Sequence, residues 1–516
     1  MPAFLSAAER SLALGIDGLS YCNPFLPQRL EFERRVLGSA PAAKGAVWNM
    51  RVGPNRGVDQ LELLRQRGES LIELLLARLL NGAQPSDADL ALYESVVLFT
   101  LYHRYRAEFE EALNDALEHE KLLKIGFYSQ FHRDMLHYLE LPGFSLGAAQ
   151  EIPHLFACFF QLRRAFHQIF RNIVGGSMPA AKLRAEVWQS IFTHDVRRFR
   201  RSLYNRMGDI ATLITGPTGT GKELVARAIG LSRYIPFDPK TQKFTEDFTG
   251  SFQALSLSAL SPTLIESEIF GHRRGSYTGA VADRAGWLEM CRPLGTVFLD
   301  EIGELDGGIQ VKLLRLLQTR TYQRLGDTNT RHFTGKIIAA TNRDLAALMQ
   351  AGTFREDFFY RICSDMITTP SLREQLADSP GELRNLVLFI AQRIAGVEAA
   401  PLTEEVLTWI EQHIGSDYAW PGNIRELEQC VRNVMIRQEY HPRRASAATA
   451  DVRSRLSANF LAGEGTADEL LRRYCTIVYA QTSNYEVAAR RLQIDRRTVK
   501  AKIDPQLLNE LKPKAT

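Results

Sequence analysis

Cysteine is scarce and unpaired in this 516-residue chain: Cys22, Cys158, Cys291, Cys363, Cys430 and Cys475 form no CxxC. That spacing excludes a disulfide-framed fold and offers no zinc site. Long apolar runs are also missing. The nearest, LIELLLARLL (71–80), is broken by a Glu and an Arg, so no segment reads as a membrane-spanning helix. Neither a basic-then-apolar leader nor a lipidation motif opens the chain, and the expectation is a cytoplasmic, reduced protein with no membrane partner. Charge of one sign is lacking too, since 63 basic and 59 acidic residues leave a net +4. That balance does not identify a nucleic-acid binder. What is present, 45% hydrophobic and 24% charged residues, suits a globular protein, and the length suggests three or four domains.

The first 180 residues read as mainly helical. LELLRQRGESLIELLLARLL (61–80), LALYESVVLFTLYHRYRAEFEEALNDALEHEKLL (90–123) and LFACFFQLRRAFHQIF (155–170) place apolar residues at helical spacing. VGGSMP (174–179) breaks the pattern. Six of the eleven histidines fall here, and Asp134 and His137 share the i, i+3 spacing of di-iron bundles. No second motif of matching spacing accompanies them, which favours an aromatic helical core with surface histidines. No βα alternation with an acidic cluster appears either, so a phosphoacceptor receiver is not expected.

From about residue 185 short apolar segments alternate with helices: ATLITG (211–216), TVFLDE (296–301) and KIIAATN (336–342) read as buried parallel strands. This is an α/β nucleotide-binding layout. GPTGTGKE (216–223) follows the first strand and opens a helix. Its glycines let backbone N–H groups converge on phosphate oxygens, the helix N-terminus adds positive potential, and Lys222 reaches the terminal phosphates. Gly216, Gly219, Thr220, Gly221, Lys222 and Glu223 are therefore the candidate ATP contacts, with Glu223 standing where Ser or Thr usually ligates Mg²⁺. At the end of TVFLDE, Asp300 suits Mg²⁺, directly or through water, and Glu301 suits polarising the attacking water.

With these motifs placed, residues 185–440 resemble the AAA+ domain of bacterial enhancer-binding proteins, the activators of sigma-54 RNA polymerase. The match runs through GPTGTGKE, EIFGH (268–272), GSYTGA (275–280), FLDEIGEL (298–305), KLLRLLQ (312–318), AATNRDL (339–345), GTFREDFFYRI (352–362), SLRE (371–374) and WPGNIREL (420–427). The resemblance implies an ATPase acting as a ring, usually a hexamer, with its site between subunits. Arg355 and Arg361 would reach a neighbour's γ-phosphate, or else lie on a helix surface. Asn342 would orient water near that phosphate, or cap a helix, and Arg425 would sense nucleotide from a helical lid. GSYTGA matches the family's GAFTGA loop, so Tyr277 and Thr278 are the implied sigma-54 contacts, with added hydroxyls at Ser276 and Tyr277. Ser256 replaces the Asn expected to hold the catalytic Glu, and a hydroxyl reaches less far than an amide.

At the C-terminus, NYEVAARRLQIDRRTVKAKI (484–503) resembles a Fis-type helix-turn-helix, with Val487, Ala488, Leu492, Ile494 and Val499 where the helices cross. Asp495 would cap the recognition helix, and Arg496, Arg497, Thr498, Lys500 and Lys502 would face double-stranded DNA, with Gln493 at the turn in place of the usual Gly. Such a unit needs a dimeric partner to read a palindrome. The expected fold class is thus multidomain: an α-helical regulatory or sensory domain (1–180) with an unknown signal or regulator, an α/β AAA+ P-loop core (185–375), a helical lid (376–440), a linker (441–466) and a helix-turn-helix (467–516). The implied function is a sigma-54-dependent activator hydrolysing ATP with Mg²⁺. The alternative is an AAA+ signalling or remodelling ATPase that no longer engages sigma-54.

Overall fold

The structure, a computed structural model, describes residues 4–38, 56–121, 124–141, 143–257, 260–379, 381–415, 417–442, 466–505 and 507–508. It divides into two compact units, Met1–Gln438 and Glu439–Thr516. Nearly all of the expected linker lies outside the described residues.

The first unit begins with the helices α1 (Ala7–Tyr21), α2 (Gln28–Leu37), α3 (Arg56–Leu80), α4 (Asp87–Arg104), α5 (Arg106–Glu118), α6 (Tyr128–Leu139), α7 (Ile152–Asn172) and α8 (Met178–Phe192). Local chemistry starts several of them. Ser6 and Glu9 form a reciprocal capping box on α1, and Ser177 caps α8 ahead of Pro179, which needs no backbone donor in the first turn. Their apolar stripes meet in a core rich in aromatic rings, where Phe109, Phe131 and Phe156 pack at centroid distances of 5.0–6.2 Å.

This core does not end at the expected boundary near residue 180. A hairpin from within the α/β region, Phe237–Asp238 paired antiparallel with Lys243–Phe244, inserts its rings into it. Phe237 lies 4.6 Å from Phe156, and Phe244 lies 4.6 Å from Phe160. Gln161 Nε2 donates to Ser232 O at 2.9 Å and Arg164 Nη1 to Leu231 O at 3.0 Å, tying α7 to the chain leaving the next helix, α9 (Lys222–Gly230).

Five parallel strands form the α/β sheet: β1 (Thr212–Thr215), β2 (Phe252–Ser256), β3 (Thr296–Asp300), β4 (Lys336–Thr341) and β5 (Asp365–Thr368), in the order β5-β1-β4-β3-β2. The three strands expected from sequence are β1, β3 and β4, each within about a residue of its expected bounds. Both faces are covered, as an all-parallel sheet requires. One face packs on α10 (Pro262–Phe270), α11 (Gly307–Thr319) and α12 (Glu356–Ile362), and the other on α8 and α9. All ladder bonds run parallel, so the carboxyl ends of β1, β3 and β4 share one edge, where α/β sheets place ligands.

The lid consists of α13 (Glu382–Ala395), α14 (Ala399–His413) and α15 (Asn423–Arg437). The stretch Glu382–His413 is apolar enough in composition to suit a membrane span. Its apolar side is instead buried in the lid, through Leu386, Val387, Ile390, Leu402, Val406 and Ile410.

The second unit has α16 (Ala467–Thr482), α17 (Tyr485–Leu492) and α18 (Arg496–Ala501) around Val478, Ala488 and Val499. Val487, expected at the crossing, is instead 49% exposed. The adjacent Ala488 occupies the close approach, where a branched side chain would hold the helices apart.

Candidate functional site: a phosphate loop beneath a helical lid

β1 delivers the chain into the loop 216–221, and α9 begins at Lys222. Gly216 (φ 139°) and Gly219 (φ 79°) adopt backbone conformations that disfavour a Cβ, and neighbouring chain fills the space one would need. A Cβ on Gly216 would meet Thr369 Oγ1 at 2.2 Å, and one on Gly219 would meet the Gly422 carbonyl at 2.2 Å. Lys222 Nζ curls over its own loop, donating to Gly216 O (2.9 Å) and Pro217 O (3.0 Å). Burial lowers its pKa, opposed by the charges of Asp300 and Glu301. Thr220 turns its hydroxyl inward, donating to Pro217 O at 2.8 Å with Thr369 Oγ1 at 2.6 Å. Glu223 lines the cavity while pairing with Arg227 at 3.0 Å.

β3 ends at Asp300, and Glu301 follows in a left-handed conformation (φ 62°), its N–H donating to Asp300 Oδ1 at 3.0 Å. Burial, then the neighbouring Glu301 charge, raises the Asp300 carboxyl above its ordinary value, while Lys222 opposes both. Ser256 sits beside Asp300 in the β2–β3 register. Past β4, Asn342 Nδ2 donates to Thr218 Oγ1 at 2.7 Å. The helix cap nearby belongs to Asp344, which accepts from Ala346 and Ala347 N–H, so capping is not the task of Asn342.

The lid closes on this loop. Arg425 N–H reaches Gly219 O at 3.3 Å, and Asn423 Nδ2 donates to Thr218 O at 3.0 Å while its Oδ1 accepts from Leu372 N–H at 2.8 Å. A cavity of ≈ 310 Å³ results, bringing together Gly219, Thr220, Gly221, Lys222, Glu223, Asp300, Glu301 and Arg425. Sequence reasoning missed Asn423 and Arg393. Asn423 was visible inside WPGNIREL, and Asn tolerates the left-handed φ of 53° found at this helix start, but no local pattern announces that its amide reaches Thr218 O. The apolar end of the cavity, Ile173, Val174, Ala180 and Leu183, comes from the approach to α8 and its first turns.

Arg355 and Arg361 are not brought to this cavity. Arg355 is exposed and grips Asp357 through Nε (3.0 Å) and Nη2 (2.7 Å), and Arg361 donates to Leu317 O at 3.1–3.2 Å. No metal-ligand cluster of three or more His, Cys, Asp or Glu occurs among the described residues. Asp134 instead accepts from Tyr105 Oη (2.8 Å) and Gln130 Nε2 (2.7 Å).

The segment 275–280 is a tight turn at the tip of a strapped stalk. Gly275 N–H donates to Ala280 O at 2.8 Å, and Ala280 N–H to Tyr277 O at 3.0 Å. His272 bridges Arg284 and Leu325 below it, and Arg273 pairs with Asp283 (2.5 Å) and Asp327 (3.3 Å). Tyr277 leans edge-on against His272 at 5.1 Å, and Thr278 is exposed.

In the separate C-terminal unit Gln493 supplies the left-handed turn (φ 55°) expected of a glycine, and Asp495 caps α18 by accepting from Arg497 N–H at 2.7 Å. Arg496, Arg497, Thr498 and Lys500 are exposed. Arg496 reaches Glu486 at 3.1 Å, and Lys502 is half-buried and paired with Asp468.

Residues 192–368 match the family model described as the Sigma-54 interaction domain. The chain is 40% identical over 227 residues to a Nif-specific regulatory protein of Azotobacter vinelandii, covering 44% of this chain and 40% of that protein. It is 37% identical over 281 residues to the nitrogen fixation protein VnfA of the same organism, covering 54% and 47%. Among solved structures, NtrX from Brucella abortus in complex with ADP aligns over 70% of this chain and 74% of that one, at 23% identity and a TM-score of 0.39. The chain thus spans less than half the length of these two curated relatives. The resemblance to sigma-54-dependent activators holds for the region that carries the phosphate loop, the carboxylates and the 275–280 turn.

Proposed function

We propose that this chain is an ATP-hydrolysing activator of sigma-54 RNA polymerase, bound to upstream double-stranded DNA and assembled with other copies of itself, from dimer to hexameric ring, in the bacterial cytoplasm. The observation that carries the reading is the convergence of Lys222, Asp300, Glu301 and Arg425 on one lid-covered cavity, in the region that matches the Sigma-54 interaction domain. Phosphate oxygens replace the loop carbonyls as acceptors for Lys222, and the start of α9 adds its N–H groups. Glu301 polarises the attacking water, and Asn342, one hydrogen bond from Thr218, registers the γ-phosphate.

Asp300 is the residue that would hold Mg²⁺, which fits a raised, partly desolvated carboxyl beside a phosphate site and a cation that takes its remaining ligands from phosphate and water. When bound, that ion neutralises phosphate charge. Arg355 and Arg361 lie outside their own protomer's cavity, so in this reading they serve a neighbour's and make turnover depend on assembly. Tyr277 and Thr278 form the sigma-54 contact. Arg496, Arg497, Thr498 and Lys500 contact DNA, joined by Lys502 once it leaves Asp468. Residues 1–180 act as the regulatory or sensory part, 185–375 as the ATPase core, 376–440 as the lid, 441–466 as a linker and 467–516 as the DNA-binding domain.

The test is a pull-down of sigma-54 by the full chain with a transition-state nucleotide analogue, comparing wild type with Thr278→Ala. A nucleotide-dependent complex lost in the variant supports the reading. No such complex with wild type, alongside normal ATP hydrolysis, favours the alternative of an ATPase that no longer engages sigma-54. Ser256 beside Asp300 gives that alternative its physical basis.

A further inference from the structure

A second cavity, larger than the nucleotide site, is a hollow of ≈ 460 Å³ among the helices. Its walls are unusually aromatic: Phe99, Tyr102, Phe159, Phe166, Trp188 and Phe192 all face it. Cavities of this size bind drug-sized molecules.

The charges around this apolar space do not balance. Five arginines line it, Arg29, Arg106, Arg163, Arg171 and Arg200, against one carboxylate, Glu110. Glu110 pairs with Arg163, while Arg29 pairs with Glu33 (2.7 Å) and Arg200 with Glu94 (3.3 Å) from outside the lining. Arg106 and Arg171 have no ion pair among the described residues. Arg106 is half-buried, and its charge acts unfavourably on Arg163 nearby. Arg163 Nε is itself buried with no hydrogen-bond partner among the described residues, as is His167 Nε2. Burial, reinforced by these arginines, pushes His103 down to about 3 and His167 down to about 4, so neither imidazole adds further charge near neutrality.

A positive excess in an aromatic pocket is complementary to a flat apolar molecule carrying one negative group. We propose that this cavity binds a small aromatic carboxylic acid, its ring among Phe99, Phe159, Phe166 and Trp188 and its carboxylate at Arg106, beside Arg163. The inference rests on the reading of residues 1–180 as a sensory module, whose pocket is completed by the chain from Trp188 to Arg200, and supplies the chemical class of its ligand.

The same helices reach the nucleotide cavity. α8 lines the aromatic cavity with Trp188 and Phe192 and the nucleotide cavity with Ala180 and Leu183; α7 carries Phe166 and Phe170, and its last residue, Asn172, borders the nucleotide site. Leu183 and Trp188 are separated by about 7.5 Å of helix rise. A ligand that shifts α8 therefore moves a wall of the ATP site, a linkage carried by one rigid element.

The experiment is calorimetric titration of the full chain with 2-naphthoate and with its neutral counterpart 2-naphthylmethanol. The expected result is saturable one-to-one binding of the acid, at least about tenfold tighter than the alcohol. Arg106→Gln should erase that preference, Arg106→Lys should keep much of it, and Leu98→Trp, which fills the hollow, should abolish binding of both. Melting curves identify any variant that fails to fold, and the glutamine variant alone then decides. No saturable binding to wild type, equal affinity for acid and alcohol, or an acid preference that survives Arg106→Gln each overturns the proposal. Because the readout is binding rather than turnover, such a failure is distinguishable from failure of the ATPase reading.

Discussion

Replacing Gly219 by alanine tests whether the lid rests on the phosphate loop as described. The new Cβ would lie 2.2 Å from the Gly422 carbonyl oxygen and 3.1 Å from Arg425 Cβ, where ordinary contact starts at 3.4 Å. Gly422 is backbone and cannot rotate away, so α15 must retreat by about 1 Å. That retreat breaks the Arg425 N–H to Gly219 O bond (3.3 Å) and the Asn423 Nδ2 to Thr218 O bond (3.0 Å), at about 1 kcal/mol each. The left-handed backbone (φ 79°) adds about 1 kcal/mol for any residue with a Cβ. Gly352 isolates that last contribution, because it shares a positive φ (71°) but a Cβ there meets nothing within 4 Å. Both variants should melt below wild type, Gly219→Ala by the larger amount. Only Gly219→Ala should lose nucleotide affinity, by about 30-fold for the 2 kcal/mol of lid contact, in equilibrium titration with a fluorescent ATP analogue. Binding within threefold of wild type would show that the lid contact contributes nothing to nucleotide capture.

Three further outcomes follow from the site and its surroundings. Lys222→Ala should abolish ATP binding, whereas Arg355→Ala should bind ATP and hydrolyse it on the order of a thousandfold more slowly; normal turnover would remove Arg355 from the chemistry. Asp300→Asn should raise the melting temperature at neutral pH while eliminating hydrolysis. A carboxyl raised in the fold opposes stability increasingly as pH climbs from its unfolded value through its folded one, and an unchanged melting temperature at pH 7 would contradict this. Lys336, buried at the start of β4 and donating to Ile210 O at 2.7 Å, is pushed down to about 7 by burial. The unfolded lysine holds its proton more tightly, so wild-type stability should rise from pH 7 toward 10.5, and Lys336→Met should lose that slope; equal slopes in both proteins would refute the assignment.

The α/β half was legible because its signals are local. A buried parallel strand is a short apolar run, and a phosphate loop needs glycines at fixed spacing whatever surrounds it. β5 escaped because DMIT begins with a carboxylate, Asp365, whose Oδ2 accepts from both Ser190 Oγ (2.6 Å) and Thr212 Oγ1 (3.0 Å), residues far away in sequence. The lid's Asn423 and the aromatic cavity escaped for the same kind of reason. One depends on where a helix start meets the loop, and the other on seven helices meeting with an uneven share of charge. Periodicity identifies each helix but carries no information about what remains unfilled between them. Gln493 shows the reverse case, since its turn forms without the glycine that sequence patterns demand.

The aromatic hairpin at 237–244 has a consequence for ancestry. Domain boundaries usually fall in exposed, flexible linkers that few contacts cross. Here Phe237, Phe244 and Phe248, each worth about 2 kcal/mol of burial, belong by sequence to one part and by packing to the other. A gene cut near residue 180 would leave those rings in water on one fragment and an open hollow on the other. The helical region and its partner are thus obliged to mutate in step, and any recombinant that trades the first must bring along a hairpin to match.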